Sequence, residues 1–382
     1  MGRKPVLAVI LIISQNLAMF SQQWADAVKR YEYYISSEKY DSALYFAEES
    51  AAIARGTDGE KNLQYCRLLR NLATANYFLG RYNKAKYFIL NEAATRESLR
   101  KTSDPDYIDC LEAAALICRK AGNYEEALAQ IRKTEKRIIQ LFGPASARYA
   151  MMLESYAGIY HDNGFSDNDE VYIKMEEKYL RQAEEIYKNL SGKQAEYLAI
   201  RNKANLAAWY NNTGNYPQAE ALIHDVVAFY LKNDGRNSLA YLTALNNLGV
   251  VFYNTGNYKL AEKNFIEALA GLGNNTGLTR KYRAIVLCNL GTMYHDMGNF
   301  RNAEMVLDEA QEYLLQLSLD ESPLYSVLLN NKAAVYLSGE YFESPEKKNA
   351  QHLILAGTLL KDAEKVFRQN GTTPHPVYNS IG

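Results

Sequence analysis

Two histidine–aspartate pairs, His161-Asp162 and His295-Asp296, are the residues of this 382-residue chain most readily read as chemistry. An aspartate beside an imidazole can orient it for acid–base work, and such groups also ligate metals. Each pair lies just before a glycine, at Gly164 and Gly298, and neither has a nucleophile or a further ligand nearby in sequence. They read as polar helix ends, where a histidine also suits the helix dipole. The four cysteines, Cys66, Cys110, Cys118 and Cys288, match no zinc or redox spacing. Cys110 and Cys118 fall on one predicted helix about 12 Å apart along its axis, too far for a disulfide. Buried free thiols are expected. No catalytic residue, metal site or cofactor is expected, and the chain does not read as an enzyme.

A column of asparagines carries more information. Asn71, Asn205, Asn247, Asn289 and Asn331 each stand nine residues before a glycine or its equivalent, and Asn246 and Asn330 precede two of them. Asparagine is a poor residue inside a helix, so five in register need a reason. An amide offers both a donor and an acceptor. The column can therefore pair with the backbone of an extended peptide, or it can tie neighbouring helices into a ladder. The two roles are compatible.

The elements that would position these residues are announced by punctuation. Gly80-Arg81-Tyr82, Gly122-Asn123-Tyr124, Gly214-Asn215-Tyr216, Gly256-Asn257-Tyr258 and Gly298-Asn299-Phe300 each precede an alanine three residues past the aromatic; Glu38-Lys39-Tyr40 is the same signal without glycine. Gly80, Gly122 and Gly164 are 42 residues apart, as are Gly214, Gly256 and Gly298. A fixed period of this size means a repeat array. Around each turn apolar residues recur at helical spacing, as in Leu245, Leu248, Val251 and Phe252, then Ala261, Phe265, Ala268 and Leu269. The spacing predicts eight hairpins over residues 22–372, with turns near 38, 80, 122, 164, 214, 256, 298 and 340. Eight extra residues between Gly164 and Gly214, mostly within Phe165–Lys174, predict a longer hairpin loop with the second helix resuming at Glu176. In the eighth unit an interruption from Ser344 to Asn349 follows the turn near Gly339, and a helix is expected again by Gly357.

Leu248-Gly249…Phe252…Ala261…Phe265…Ala268 resembles the tetratricopeptide repeat, and Leu290-Gly291…Tyr294…Ala303…Leu307…Ala310 does so nearly as well. Small residues at Gly249, Ala261 and Ala268 would let helix axes approach while Phe252 and Phe265 fill the space between them. The long period and the Leu-Asn-Asn-Leu-Gly motif are similar to the kinesin-light-chain variety. The resemblance implies an all-α, right-handed superhelical solenoid of about eight helix-turn-helix repeats whose first helices line a concave face. The asparagine column, Asn246 and Asn330 would then face that groove. Arg67, Arg70 and Arg201 would add positive charge to it, and Tyr253, Thr243, Val250 and Thr292 would line its middle. The turn tyrosines are expected to be packing residues, since no basic residues accompany them to make a nucleic-acid stacking platform.

Composition sets the class of partner. Hydrophobic residues at 48%, charged residues at 23% and a net charge of −1 describe an ordinary globular protein with no basic footprint for nucleic acid. Arg3 and Lys4 precede an apolar run, Val6–Ile13, so residues 1–21 read as a signal peptide. Export to a periplasmic or extracellular space is expected, or membrane anchoring if the signal stays uncleaved; no later segment is apolar enough to span a membrane. Residues 373–382, with Pro374-His375-Pro376-Val377-Tyr378, resemble the opening of a ninth repeat. That ending suggests a capping partner or a longer protein. The expected function is a scaffold that binds a peptide or protein segment. The alternative is the regulatory or assembly region of a longer protein carrying a CHAT-type caspase-like peptidase or a sensor kinase, on analogy with similar exported bacterial arrays.

Overall fold

The computed structural model describes residues 22–57, 62–102, 104–167, 170–273, 276–338 and 349–370. Among the described residues there are sixteen helices and no strands. They follow one another in pairs: α1 (22–36) with α2 (Tyr40–Thr57), α3 (Leu63–Phe78) with α4 (Tyr82–Ser98), and α5 (Pro105–Lys120) with α6 (Tyr124–Phe142). Then come α7 (Ala147–Asp167) with α8 (Glu170–Lys188), α9 (Lys193–Asn212) with α10 (Tyr216–Asp234), and α11 (Leu239–Asn254) with α12 (Tyr258–Gly271). The last are α13 (Gly277–Asp296) with α14 (Phe300–Gln316) and α15 (Pro323–Leu337) with α16 (Asn349–Asn370). Contacts divide the chain into two compact units, Met1–Ile117 and Cys118–Gly382.

Each residue of the Gly-Asn-aromatic signal has a separate task. Gly256 has φ 74° and Gly298 φ 72°, left-handed backbone that a side chain disfavours. Asn257 N–H then reaches back to Phe252 O at 2.8 Å, and Asn299 N–H to Tyr294 O at 2.8 Å, closing the first helix with a Schellman motif. The same asparagines start the next helix, their side chains accepting from Leu260 N–H and Asn302 N–H at 3.4 Å. The aromatic packs backward, Tyr258 on Tyr253 and Phe300 on His295, with ring centroids 6.1 and 5.7 Å apart. Glu38 adopts the glycine conformation at φ 57°, and Lys39 N–H closes that turn on Tyr34 O at 2.9 Å.

Between helices the small residues act as expected. A Cβ on Gly249 would lie 2.7 Å from the Phe265 ring, and one on Gly291 2.7 Å from Leu307. Ala261, Phe265 and Ala268 are wholly buried, within a core shared by α9 to α15. In the second unit each first helix packs on the preceding second helix and also meets the next first helix (α7–α9, α9–α11, α11–α13, α13–α15).

One expectation is corrected. The chain does not turn at Gly164, because α7 continues to Asp167 and α8 already begins at Glu170. The inserted residues thus lengthen both helices rather than the loop between them. Packing supports the added turns: Tyr172 lies against Tyr160 with centroids 5.8 Å apart, and the Trp209 indole donates to Ile173 O at 3.2 Å. In the eighth pair, α16 begins at Asn349, with His352 stacked on Tyr336. The expected signal peptide (1–21), the turn at 339–341 and the start of a ninth repeat (373–382) lie outside the described residues.

Candidate functional site

Successive first helices of the second unit are stitched by side chains 43 residues apart. Asn289 Nδ2 donates to Asn246 Oδ1 at 2.9 Å, and Asn254 Nδ2 to Asn211 Oδ1 at 3.0 Å. The Tyr253 hydroxyl donates to Asp296, and His295 Nε2 meets Ser338 Oγ at 2.8 Å. Arg119 Nε lies 3.2 Å from Asp162 Oδ2. One residue step rotates a helix by about 100°. Side chains that lean toward each other from adjacent parallel helices therefore differ by one position, and contacts follow 43 while the sequence repeats every 42. Asn331 Nδ2 reaches Thr292 Oγ1 at 3.1 Å, one helical turn away from that rule.

These stitches frame three clefts on the first-helix face, widening along the chain. Between α9 and α11 lies one of 40 Å³, lined by Asn211, Asn212, Asn247 and Val250. Between α11 and α13 lies one of 110 Å³, lined by Thr243, Asn246, Asn247, Tyr282 and Ile285. The cleft flanking α13 and α15 measures 310 Å³ and is lined by Tyr253, Thr292, His295, Asp296 and Asn331. The residues singled out in sequence thus divide into two sets. Asn246, Asn289 and Asn331 are buried and hydrogen-bonded across helices. Asn247 is half-buried, borders two clefts, and accepts from Asn246 Nδ2 at 3.3 Å, while its amide hydrogens have no acceptor among the described residues. Asn205 is exposed and reaches Glu154 at 3.4 Å; Asn330 and, in the first unit, Asn71 are half-buried.

The three arginines do not supply free positive charge in equal measure. Arg70 is bound to Glu92 through Nε at 2.6 Å and Nη2 at 3.0 Å. Arg201 pairs with Glu154, whose side chain is largely buried. Arg67 is exposed, 3.9 Å from Glu32.

The sequence reading missed the carboxylates that sit inside the helix pairs. Glu92 is fully buried and also accepts from Arg96 Nε at 2.8 Å. Its signal was a break in a column: twelve residues past the turn glycine, Val226, Ala268 and Ala310 are apolar, while Glu92 is charged. Glu176 is likewise buried, four residues before Leu180, where Ala85 precedes Ile89 and Ala261 precedes Phe265. His161 Nδ1 meets Glu176 Oε1 at 2.9 Å. Burial alone would lower the His161 pKa, but the hydrogen bond and charge of Glu176 outweigh it and raise it. Burial, Asp296's hydrogen bond and its charge together raise the Tyr253 hydroxyl, which therefore stays protonated. The four cysteines are buried free thiols, and burial pushes Cys110 and Cys288 up to about 12. Among the described residues no group of His, Cys, Asp and Glu is arranged to hold a metal, and no helix is long and apolar enough to cross a membrane.

Comparison with known proteins agrees with this architecture. Residues 196–272 match the tetratricopeptide repeat family model. No curated protein matches the sequence. Among solved structures, the chain is similar to a Rap protein complexed with competence and sporulation factor, at 15% identity and TM-score 0.52, covering 91% of this chain and 93% of that one. It is also similar to the quorum sensor NprR from B. thuringiensis in its apo form (15% identity, TM-score 0.47, covering 86% and 94%) and to BtubC (BKLC) from P. vanneervenii (17%, 0.41, 68% and 94%). The tetratricopeptide repeat model thus falls on the fifth and sixth helix pairs, α9 to α12, and the Rap protein shares the helix-pair fold.

Proposed function

We propose that the first-helix face of the second unit binds an extended peptide segment of a partner protein. The observation that carries this reading is Asn247. It borders two clefts and its amide hydrogens have no hydrogen-bond acceptor among the described residues, whereas Asn246 donates to Asn247 and Asn289 donates to Asn246. A peptide backbone presents a carbonyl and an N–H at each residue, the complement of an amide side chain. The Rap protein captured with competence and sporulation factor shows that a related fold can hold such a factor, a likeness of fold only. A tetratricopeptide array with this face needs no chemistry of its own to act as a scaffold.

The test compares Asn247→Ala with Asn289→Ala in capture of partners from the exported fraction. Asn247→Ala should lose partner while keeping its melting temperature, and Asn289→Ala should lose stability. Retention of every partner by the Asn247 variant would refute the groove reading. Residues 1–21 support export: basic Arg3 and Lys4 lead an apolar run. N-terminal sequencing of protein from the exported fraction should begin near Gln22. An intact Met1 in the membrane fraction would replace secretion by anchoring.

A further inference from the structure

The 310 Å³ cleft differs from its neighbours in what its polar groups have left to offer. Its hydrogen-bond donors are nearly all engaged inside the protein. The Thr292 hydroxyl donates to Cys288 O at 3.0 Å, and the Tyr253 hydroxyl donates to Asp296. Asn331 Nδ2 donates to Thr292 Oγ1 at 3.1 Å. His295 has both ring nitrogens occupied, Nδ1 against Asp296 Oδ1 at 2.9 Å and Nε2 against Ser338 Oγ at 2.8 Å. In either charge state it offers the cleft nothing free.

What remains are acceptors. Asp296 has a carboxylate with a side chain 39% exposed, and among the described residues its partners are Tyr253 and His295, with no Lys or Arg paired to it. A carboxylate can take about four hydrogen bonds, and these two groups fill only part of that capacity. Asn331 directs one of its two amide hydrogens to Thr292, and its Oδ1 remains an acceptor. The Tyr253 oxygen can accept as well. The two donors that Asp296 already accepts hold the carboxylate in a set orientation, as a bidentate partner requires.

We propose that this cleft is a subsite for the basic side chain of the bound peptide, with an arginine guanidinium seated on Asp296 and Asn331. A guanidinium carries donors and no acceptor, the complement of an acceptor-lined cleft, and its planar fork matches a fixed carboxylate. The adjacent 110 Å³ cleft, lined by Leu242, Tyr282 and Ile285 beside Asn247, suits a small apolar side chain instead. The peptide would then be read by the order of a basic and an apolar residue while Asn247 holds its backbone. The assignment rests on the peptide-binding reading above.

The experiment selects linear peptides from a randomised library on the full chain, then compares each selected peptide with its arginine-to-citrulline version by fluorescence polarisation. Citrulline keeps the shape and removes the charge. Wild type should enrich arginine or lysine at one position, and citrulline should weaken binding by about tenfold or more. Asp296→Asn, which preserves volume, should bind the two versions within about twofold, and Tyr253→Phe should lose part of the preference. Enrichment of peptides without a basic residue would overturn the subsite while leaving the groove intact, as would an Asp296→Asn variant with the wild-type arginine-to-citrulline ratio. Failure to enrich any peptide would overturn the groove reading and the subsite together.

Discussion

Where α3 meets α4 the helices are joined by buried charge; where α11 meets α13 they are joined by neutral amides. In the first case Glu92, fully buried, accepts from Arg70 and Arg96 over 2.6 to 3.0 Å, and Arg96 extends to Asp106 at 3.5 Å. In the second, Asn246 and Asn289 share one hydrogen bond of 2.9 Å between buried side chains. The two solutions have different failure modes. A buried ion pair gains little net stability when complete, because desolvation offsets attraction, yet it is costly to break. An amide pair is modest in both directions, and its members can keep a donor or acceptor for a ligand. The ionic joint is a closed structure, whereas the amide joint leaves Asn247 beside it available.

The largest effect should therefore come from Glu92→Ala. Two arginines would remain in a site that held a carboxylate, and unfolding by urea should show a loss of about 3–5 kcal/mol. Replacing all three groups together, Arg70→Met with Glu92→Leu and Arg96→Met, should cost less than Glu92→Ala alone. A Glu92→Ala loss below about 1 kcal/mol would mean that water reaches the triad and that the contrast between the two joints is false.

The His161–Glu176 pair lies between these extremes, a buried carboxylate held by a partner that can lose its charge. The folded-state pKa of His161 is raised, with Asp162 and Arg119 also facing it. Its contribution is thus fully present below the ordinary histidine value of about 6.5 and fades as pH rises through the folded value. The stability difference between wild type and His161→Gln should be greatest under mildly acidic conditions and shrink toward alkaline pH. A difference that grew with pH would show that burial, not Glu176, governs this imidazole.

Within the amide ladder, Asn289→Ala removes the donor to Asn246 and should cost about 1–2 kcal/mol. Asn247→Ala, on the open side, should stay within about 0.5 kcal/mol of wild type. Equal losses at the two positions would erase the distinction between ladder and groove.

The fold was legible because its information is local and repeated. Gly-Asn-aromatic ends one helix, supplies the packing ring and, at Asn257 and Asn299, caps the next, all within three residues. The extension of α7 through Gly164 was not, because a glycine only permits a turn. A helix can run through it at about 1 kcal/mol when later contacts, here Trp209 and Tyr160, support the added turns. The asparagine column was visible, but comparison at a period of 42 aligns Asn247 with Asn289, while the bond joins Asn246 to Asn289. That offset arises from the rotation of neighbouring helices, which no single repeat encodes. Glu92 could have been found as the one charge in a column that otherwise holds Ser50, Thr134, Val226, Ala268 and Ala310, but its arginine partners come from two different helices and only packing brings them together.

A small effect of opposite sign concerns the first turn of the array against those that follow. Glu38 occupies the left-handed conformation at φ 57°, where Gly80, Gly122, Gly214, Gly256 and Gly298 stand at φ 72° to 79°. A side chain in that region costs about 1–2 kcal/mol, and glycine gives back part of the gain through the entropy of the unfolded chain. Glu38→Gly should therefore stabilise the protein by about 0.5–1 kcal/mol, measured by the same urea titrations. The Lys39–Tyr34 closing bond is made by the backbone and should survive the change. A destabilised Glu38→Gly variant would mean that this side chain makes a contact worth more than the backbone strain. The first turn would then be a specialised end of the array, while the glycine turns beyond it are interchangeable copies.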